Sequence, residues 1–325
     1  MTTLYLDRRD LRLDLSGQTL ALYAGDRREG TVPVHLLDSI VLRSNVHLDS
    51  AVLARLADRG ISITAFGGRL GSKLALVHGP VHNDAARRIG QYRRYDDLAW
   101  QRRWSRALVL QKLRRQRRLL SDALAGRADQ RHALTTALHA LDAQIAQLRA
   151  EPSIDLARLR GIEGAAAAAY FRGFTALFAD ALRFQGRNRR PPRDPVNSVL
   201  SLGYTLLHAE VVRACYGAGL DPMIGYYHRL QFGRESLACD LVEPLRIRVD
   251  RFAWEQFRDR TLRAEDFSMD GDACLLGKAA RGAFFHAFDA VLTPVRQLMR
   301  RATQRLANDF ARIGRQALPV DAAAH

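Results

Sequence analysis

The sequence has 325 residues, of which 47% are hydrophobic and 26% are charged, and this balance is that of a soluble globular protein. Its formal net charge of +16 indicates a polyanionic partner. All but three of the 50 basic residues are arginine, whose planar fork suits phosphate recognition. A GC-rich genome would also enrich arginine, but it would not by itself explain the net charge.

The cysteines and the apolar runs exclude several classes of protein. Cys215, Cys239 and Cys274 are odd in number and lie too far apart for a Cys-x-x-Cys pair, which argues against a disulfide framework and a structural zinc site. No apolar run approaches the roughly 20 residues that a membrane span needs. The N-terminal residues alternate like a strand and do not form a signal segment. We therefore expect a cytosolic protein with no membrane partner.

The N-terminal part of the chain, up to about residue 80, has the period-two alternation of half-buried strands. The alternating apolar positions are Leu11, Leu13 and Leu15, then Leu20 and Leu22, then Ile61 and Ile63. Turn signals separate them at Ser16-Gly17 and at Ala24-Gly25-Asp26. One helix interrupts the pattern, with Asp49 or Ser50 as its cap and Gly60 at its end.

From about residue 84 the apolar period becomes that of a helix. One helical face carries Leu134, Leu138, Leu141, Ile145 and Leu148. Pro152 ends that helix, and Ser153 can cap the next. Further helices are predicted at 196–219, 236–258 and 278–314. Strands first and helices afterwards predict an α+β fold, with a small β-rich domain at residues 1–83 and a larger all-α domain at residues 84–325.

Basic residues are concentrated in two runs, Arg87–Arg118 and Arg183–Arg193. Each run alone is as well explained by a solvated helix face, but two runs around a set of acidic residues favour a nucleic-acid surface. Pro191 and Pro192 exclude a helix interior, so the second run is expected to present its guanidinium groups from a loop. The candidate DNA-binding residues are Arg187, Arg189, Arg190, Arg193, Arg246 and Arg248.

Three short motifs offer ligands for a hard divalent cation. They are Gly161-Ile162-Glu163-Gly164, Gly225-Tyr226-Tyr227-His228 and Leu237-Ala238-Cys239-Asp240-Leu241-Val242-Glu243-Pro244. Glu163, His228 and Glu243 can supply such ligands from three helices, and Mg²⁺ or Mn²⁺ favours this donor set. Asp240 lies three residues before Glu243 on the same helical face, so the two carboxylates would repel each other without a cation between them. Each motif alone is more often structural, and only their conjunction indicates a site.

In order and spacing, these motifs resemble the family of CRISPR-associated endonucleases that act as the integrase of spacer acquisition. The match runs through residues 161–171, 189–197, 201–207, 219–222, 225–228 and 236–246. The resemblance implies a β-rich domain that mediates homodimerisation and a helical catalytic domain. It implies Glu163, His228 and Glu243 as ligands of Mg²⁺ or Mn²⁺, with Asp240 as a further catalytic acid.

The same resemblance implies a reaction and partners. The 3′-hydroxyl ends of captured double-stranded DNA fragments would be joined to a CRISPR repeat array, and a second small CRISPR adaptation protein would bridge two dimers. Two alternatives remain: a non-catalytic basic scaffold that holds DNA, and an unrelated metal hydrolase with a small substrate. A scaffold has no use for buried carboxylates, and a small substrate would leave the charge of +16 superfluous.

Overall fold

The computed structural model describes residues 2–67, 73–79, 81–188 and 191–318. The chain divides into two compact units, the first comprising Met1–Asn83 with Gly282–Ala290 and the second Asp84–Arg281 with Val291–His325. The predicted fold class, a β-rich N-terminal domain followed by a larger helical one, is confirmed. The predicted division at residues 83 and 84 takes no account of Gly282–Ala290, which belong to the last helix of the chain.

The first unit contains two four-stranded sheets. Its strands are β1 (Thr2–Leu6), β2 (Leu11–Ser16), β3 (Thr19–Ala24), β4 (Arg27–Pro33), β5 (Leu37–Leu42), β6 (Val46–His47), β7 (Ser62–Gly67) and β8 (Lys73–Val77). One sheet has the order β1-β5-β7-β8, with β1, β5 and β7 parallel and β8 antiparallel to β7. The other has the order β4-β3-β2-β6 and is antiparallel except for the β2–β6 pair.

The predicted alternation places one face of the β2–β3 hairpin in the core. Leu11, Leu13 and Leu20 are buried, and Gly17 forms the turn at a φ of +61°, where residues with a side chain are strained. Helix α1 (Ser50–Asp58) begins as predicted, because the carboxylate of Asp49 accepts a hydrogen bond from the amide of Val52 at 2.7 Å. These elements confirm the period-two interpretation of the N-terminal part.

Helices dominate the second unit. They are α2 (Ala85–Asp96), α3 (Leu98–Gly126), α4 (Arg131–Ala150), α5 (Leu156–Thr175), α6 (Pro195–Gly217), α7 (Ser236–Val242), α8 (Arg246–Arg258) and α9 (Lys278–Arg315). The predicted apolar face of α4 is buried along its whole length. The expected cap of α5 was wrong: Asp155, not Ser153, accepts hydrogen bonds from the amides of Ala157 and Arg158, each at 2.9 Å.

Two details depart from the predicted all-α domain. Strands β9 (Phe267–Asp270) and β10 (Ala273–Leu276) form an antiparallel hairpin, whose four-residue strands are too short to show a period in the sequence. The helix predicted at 236–258 is divided into α7 and α8 by a 3₁₀ turn at Glu243–Leu245. Pro244 causes this break because it has no amide to donate within a helix.

Among the described residues, no helix is both long and apolar enough to cross a membrane.

Candidate active site

His228 lies in the loop between α6 and α7, so the prediction that it belongs to a helix was wrong. The loop begins at Gly219, which has a φ of +74°, and passes very close to the start of α7. At Gly225 a Cβ atom would lie 2.4 Å from the carbonyl carbon of Ser236, which is too close for any side chain. Because Gly225 has no side chain, the loop that carries His228 can pass close to the start of α7.

Gln91 of α2 fixes the first half of this loop. Its side-chain amide donates to the carbonyls of Asp221 at 2.8 Å and Ile224 at 3.1 Å, and its side-chain oxygen accepts from the amide of Asp221 at 2.8 Å. The Tyr226 hydroxyl donates to the carbonyl of Gln91 at 3.0 Å, and its ring lies against that of Trp100, with the centroids 4.8 Å apart. Because Gln91 is completely buried, these bonds do not compete with water, and they hold the loop in one conformation.

Asp240 fixes the second half of the loop and orients His228. Its buried carboxylate accepts from three successive backbone amides, those of Tyr226 at 2.7 Å, Tyr227 at 3.0 Å and His228 at 2.9 Å. It also accepts from Nδ1 of the His228 ring at 2.7 Å. A carboxylate only accepts, so the proton of this hydrogen bond lies on Nδ1, and Nε2 is left for other partners. Asp240 was predicted among the catalytic residues, and the structure places it as the residue that positions His228.

Lys112 stands between two of the predicted ligands, which the sequence analysis did not anticipate. Its ammonium, on α3, donates to the carboxylate of Glu163 on α5 and to Oε2 of Glu243 at 2.5 Å. The expected cation between Asp240 and Glu243 is not found: Lys112 lies between Glu163 and Glu243, while Asp240 is held by backbone amides and by His228. A signal in the sequence could have found it: Lys112 is one of three lysines in a chain that otherwise uses arginine for positive charge.

The charges of this group are strongly coupled. Burial raises the pKa of Glu243, but the positive charges of Arg246 and Lys112 outweigh burial and hold it well below its usual value. Burial alone would lower the pKa of Lys112. The negative charges of Glu243 and Glu163 outweigh burial, so the pKa of Lys112 is raised. Glu243 is therefore an anion and Lys112 a cation at neutral pH, in a place where unpaired charges would be costly.

Two of the three predicted ligands contact this ammonium. The side chains of Glu163 and Glu243 both contact Lys112, and Nε2 of His228 lies 3.9 Å from Oε1 of Glu243. Within the described ranges, no three His, Cys, Asp or Glu side chains are arranged to hold a metal ion. The donors nevertheless fit Mg²⁺ or Mn²⁺ in kind: two carboxylates and an imidazole whose other nitrogen is held by a carboxylate.

Asp250 is a further buried carboxylate close to the site. Asp250 accepts a hydrogen bond from the Tyr170 hydroxyl at 2.8 Å and another from the Tyr204 hydroxyl. Burial raises the pKa of Asp250 to about 6. The Arg246 guanidinium lies 4.7 Å from the centre of the Tyr204 ring, so this cluster supports the arginine that pairs with Glu243.

The predicted DNA-binding arginines fall into three groups. Arg189 and Arg190 lie outside the described residues. Arg187 donates to Asn197 at 2.7 Å and to Ser201 at 3.1 Å, and Arg246 donates to Glu243 at 2.8 Å, so both have partners within the protein. Arg193 and Arg248 are exposed. Burial and the positive charge of Arg248 both lower the pKa of Arg115, which marks a place where an anion would be welcome.

The basic run Arg87–Arg118 combines two roles. Arg87 donates to the carbonyl of Ala218 at 2.7 Å, Arg106 donates to the carbonyl of Leu148 at 2.7 Å, and Arg117 pairs with Asp142, so these arginines join the helices to one another. The remaining exposed arginines of the run are Arg93, Arg102, Arg103, Arg114 and Arg118. This exposed group is available to a polyanion.

Comparison with known proteins decides which family has this site. The family described as CRISPR associated protein Cas1 matches residues 4–290. The chain belongs to the Cas1 family. A CRISPR-associated endonuclease Cas1 of Thermodesulfovibrio yellowstonii is 36% identical over 315 residues, which cover 94% of this chain and 96% of the relative. Membership of a family of endonucleases makes the chain a nuclease-type enzyme.

Solved structures agree with this assignment. A Cas1 protein from Thermotoga maritima superposes with a TM-score of 0.79 at 25% identity, over 95% of this chain and 97% of its own. A casposase bound to an integration product has the same fold, with a TM-score of 0.79 at 19% identity, over 96% of this chain and 91% of its own. A Cas6-RT-Cas1–Cas2 complex contains it too, with a TM-score of 0.80 at 23% identity, over 96% of this chain and 35% of its own.

Proposed function

We propose that this Cas1-family chain is a divalent-metal-dependent DNA endonuclease and integrase, which joins the 3′-hydroxyl ends of captured DNA fragments to a CRISPR repeat array. One observation carries the proposal. The carboxylates of Glu163 and Glu243 meet at a single cationic group, and Nε2 of His228 lies 3.9 Å from Oε1 of Glu243, in a chain of net charge +16. A non-catalytic scaffold would gain nothing from anions placed there, since they repel DNA phosphate.

Glu163, Glu243 and His228 would hold Mg²⁺ or Mn²⁺ after the ammonium of Lys112 withdraws from between the carboxylates. The ion would neutralise negative charge on the phosphodiester and on the departing oxygen. Two other residues of the chain hold these metal-binding groups in position. Asp240 holds the His228 ring by its Nδ1 atom, and Arg246 holds the carboxylate of Glu243 from the side away from Lys112.

Glu163 remains accessible to a polymer, because 21% of its side chain is exposed. Exposed arginines such as Arg193 and Arg248 would then neutralise neighbouring phosphates and position the strand.

The proposal extends to assembly. The β-rich first unit would mediate homodimerisation, and a second small CRISPR adaptation protein would bridge two dimers on double-stranded DNA. The Cas6-RT-Cas1–Cas2 complex that shares this fold supports a Cas2-type partner. Of the predicted DNA contacts, Arg189 and Arg190 lie beyond the described ranges and Arg187 has partners within the protein, so Arg193 and Arg248 are the first to test.

The experiment that tests this function is a strand-joining assay. A labelled DNA fragment with a 3′-hydroxyl end is incubated with the chain and a supercoiled plasmid that contains a CRISPR repeat, with Mn²⁺ or with a chelator, and with a fragment that ends in a 3′-dideoxynucleotide as the control. We expect joining that requires both the metal and the hydroxyl. Joining in chelator, or equal transfer of the dideoxy fragment, would contradict the proposal.

A further inference from the structure

The loop that carries His228 presents an aromatic side chain to solvent. Phe232 has a relative exposure of 105%, the highest of any large apolar side chain in the part of the chain that the structure describes. Leu230 beside it is 41% exposed. Single exposed apolar residues are common on proteins, but a phenylalanine that is wholly exposed next to an active site is not explained by packing.

The loop around Phe232 is a defined turn. The amide of Arg234 donates to the carbonyl of Gln231 at 3.0 Å, and Gly233 has a φ of +69°. This geometry is that of a tight turn with glycine at its third position and Phe232 at its second. The Ser236 hydroxyl donates to the carbonyl of Arg229 at 3.2 Å and closes the base of the turn. The ring is therefore held out by ordered backbone, and little entropy would be lost when it binds.

Its position along the chain places Phe232 near the reacting phosphate. Phe232 is the fourth residue after His228, and four extended residues span at most about 14 Å. Bases along a DNA strand are about 3.4 Å apart, so the ring can reach a base within about four nucleotides of a phosphate at His228. Exposed Arg229 and partly exposed Arg234 flank the ring and complement the charge of the backbone on either side of that base.

We propose that Phe232 is a stacking residue, which packs against a DNA base within about four nucleotides of the phosphodiester held at His228 and displaces that base from its neighbour. This inference rests on the proposed function. An aromatic face between two arginines suits a nucleobase better than a protein partner, because the arginines bind phosphates while the ring accepts any base. Phe232 thus positions the strand and takes no part in the chemistry.

Fluorescence of 2-aminopurine tests this directly. The probe base is placed in turn at each of five positions on either side of the joining site in a repeat duplex, and emission is recorded on binding in chelator, where no reaction occurs. We expect an emission change at one or two adjacent positions for the wild type and for Phe232→Tyr. Phe232→Ala and Phe232→Leu should lose it and bind this duplex at least about 5-fold more weakly. Met269→Ala, in which another exposed apolar side chain is removed, is the control.

The outcomes separate this inference from the function on which it rests. An emission change that persists in Phe232→Ala would overturn stacking, even if wild-type joining with Mn²⁺ is normal. A Phe232→Ala chain that binds the duplex normally but elutes from a sizing column with fewer copies, or without a bridging protein, would make the ring a protein contact and also overturn it. An emission change that depends on Phe232 in a wild-type chain that fails to join DNA would support stacking while the integrase proposal fails.

Discussion

Nδ1 of His228 donates a hydrogen bond to the carboxylate of Asp240 at 2.7 Å, and the backbone amide of His228 donates to the same carboxylate at 2.9 Å. One buried acid thus fixes both the ring and the backbone of the predicted ligand. With the Nδ1 position occupied, only Nε2 is left to face Glu243. Asp240 therefore acts on the site through His228.

This relationship predicts the effect of Asp240→Asn. The NH₂ group of asparagine cannot accept the hydrogen bonds that a carboxylate oxygen of Asp240 now accepts, so the ring of His228 loses its fixed orientation. We expect joining activity to fall about 10- to 100-fold and the free energy of unfolding to fall by about 1–3 kcal/mol. Nitrogen chemical shifts of the His228 ring should show a mixed tautomer. Asp142→Asn, in which an exposed ion pair is broken, is the control, and equal effects of the two substitutions would contradict a positioning role.

Lys112→Met tests whether the ammonium substitutes for the metal. Without it, the carboxylates of Glu163 and Glu243 are left without the cation that separates them, so in chelator the variant should lose about 3–5 kcal/mol of stability. Mn²⁺ should restore more stability to the variant than it adds to the wild type, because the ion no longer has to displace Lys112. Melting temperatures with and without Mn²⁺ measure both effects.

Lys278→Met is the matched control for that experiment, since Lys278 is exposed at the start of α9. It should leave the melting temperature and the Mn²⁺ response unchanged. If Lys112→Met behaves like Lys278→Met, the coupled charges around Lys112 have been misinterpreted.

Asp250 predicts a pH dependence of stability. Burial raises its pKa to about 6, so the folded state holds a proton that the unfolded state releases near its ordinary pKa of about 3.8. The stability that the protonated Asp250 contributes is therefore fully present below pH 3.8 and is lost as the pH rises through about 6. This loss lowers the free energy of unfolding by at most about 3 kcal/mol. The free energies of unfolding of wild type and Asp250→Asn can be measured with denaturant between pH 4.5 and 8. The value for wild type should fall, relative to that of Asp250→Asn, as the pH rises. Parallel curves would show that Asp250 ionises normally.

Gly225→Ala should damage the loop that carries His228. The new Cβ would lie 2.4 Å from the carbonyl carbon of Ser236, so the loop or the start of α7 has to move. We expect the free energy of unfolding to fall by about 1–3 kcal/mol or more. Gly164→Ala on the open face of α5 is the control, and it should be neutral or stabilising by up to about 1 kcal/mol in the same denaturant titration. A neutral Gly225→Ala would mean that the close approach is not required.

The elements that the sequence predicted well are those with one buried face. The leucines of β2 alternate with polar residues, and the leucines of α4 recur at helical spacing, so burial of one face leaves a period in both elements. Strand β5 escaped this reasoning because Ser39 pairs with Thr3 of β1 in the interior, 2.9 Å apart, and interrupts the apolar pattern of β5. The β9–β10 hairpin is too short for any period to emerge.

The residues of the site also divide into those that the sequence predicted and those that it missed. Glu163 and Glu243 were predicted as candidate ligands from the chemistry of their side chains. The loop conformation of His228 was missed because it depends on a close approach of Gly225 to Ser236, which is a long-range contact. Lys112 was assigned to a basic run because helical neighbours alone cannot show that it turns toward the carboxylates of α5 and the 3₁₀ turn.

Glu163→Ala is the most direct test of the central claim that these carboxylates serve catalysis. Its strand joining should be measured with Mn²⁺, and its equilibrium DNA binding with a chelator present. We expect joining to be abolished and binding to stay close to that of the wild type, since the lost carboxylate makes the surface less negative and alanine is a good helix former. A variant that joins DNA as well as the wild type, or wild-type joining that persists in chelator, would contradict the account and favour a non-catalytic scaffold.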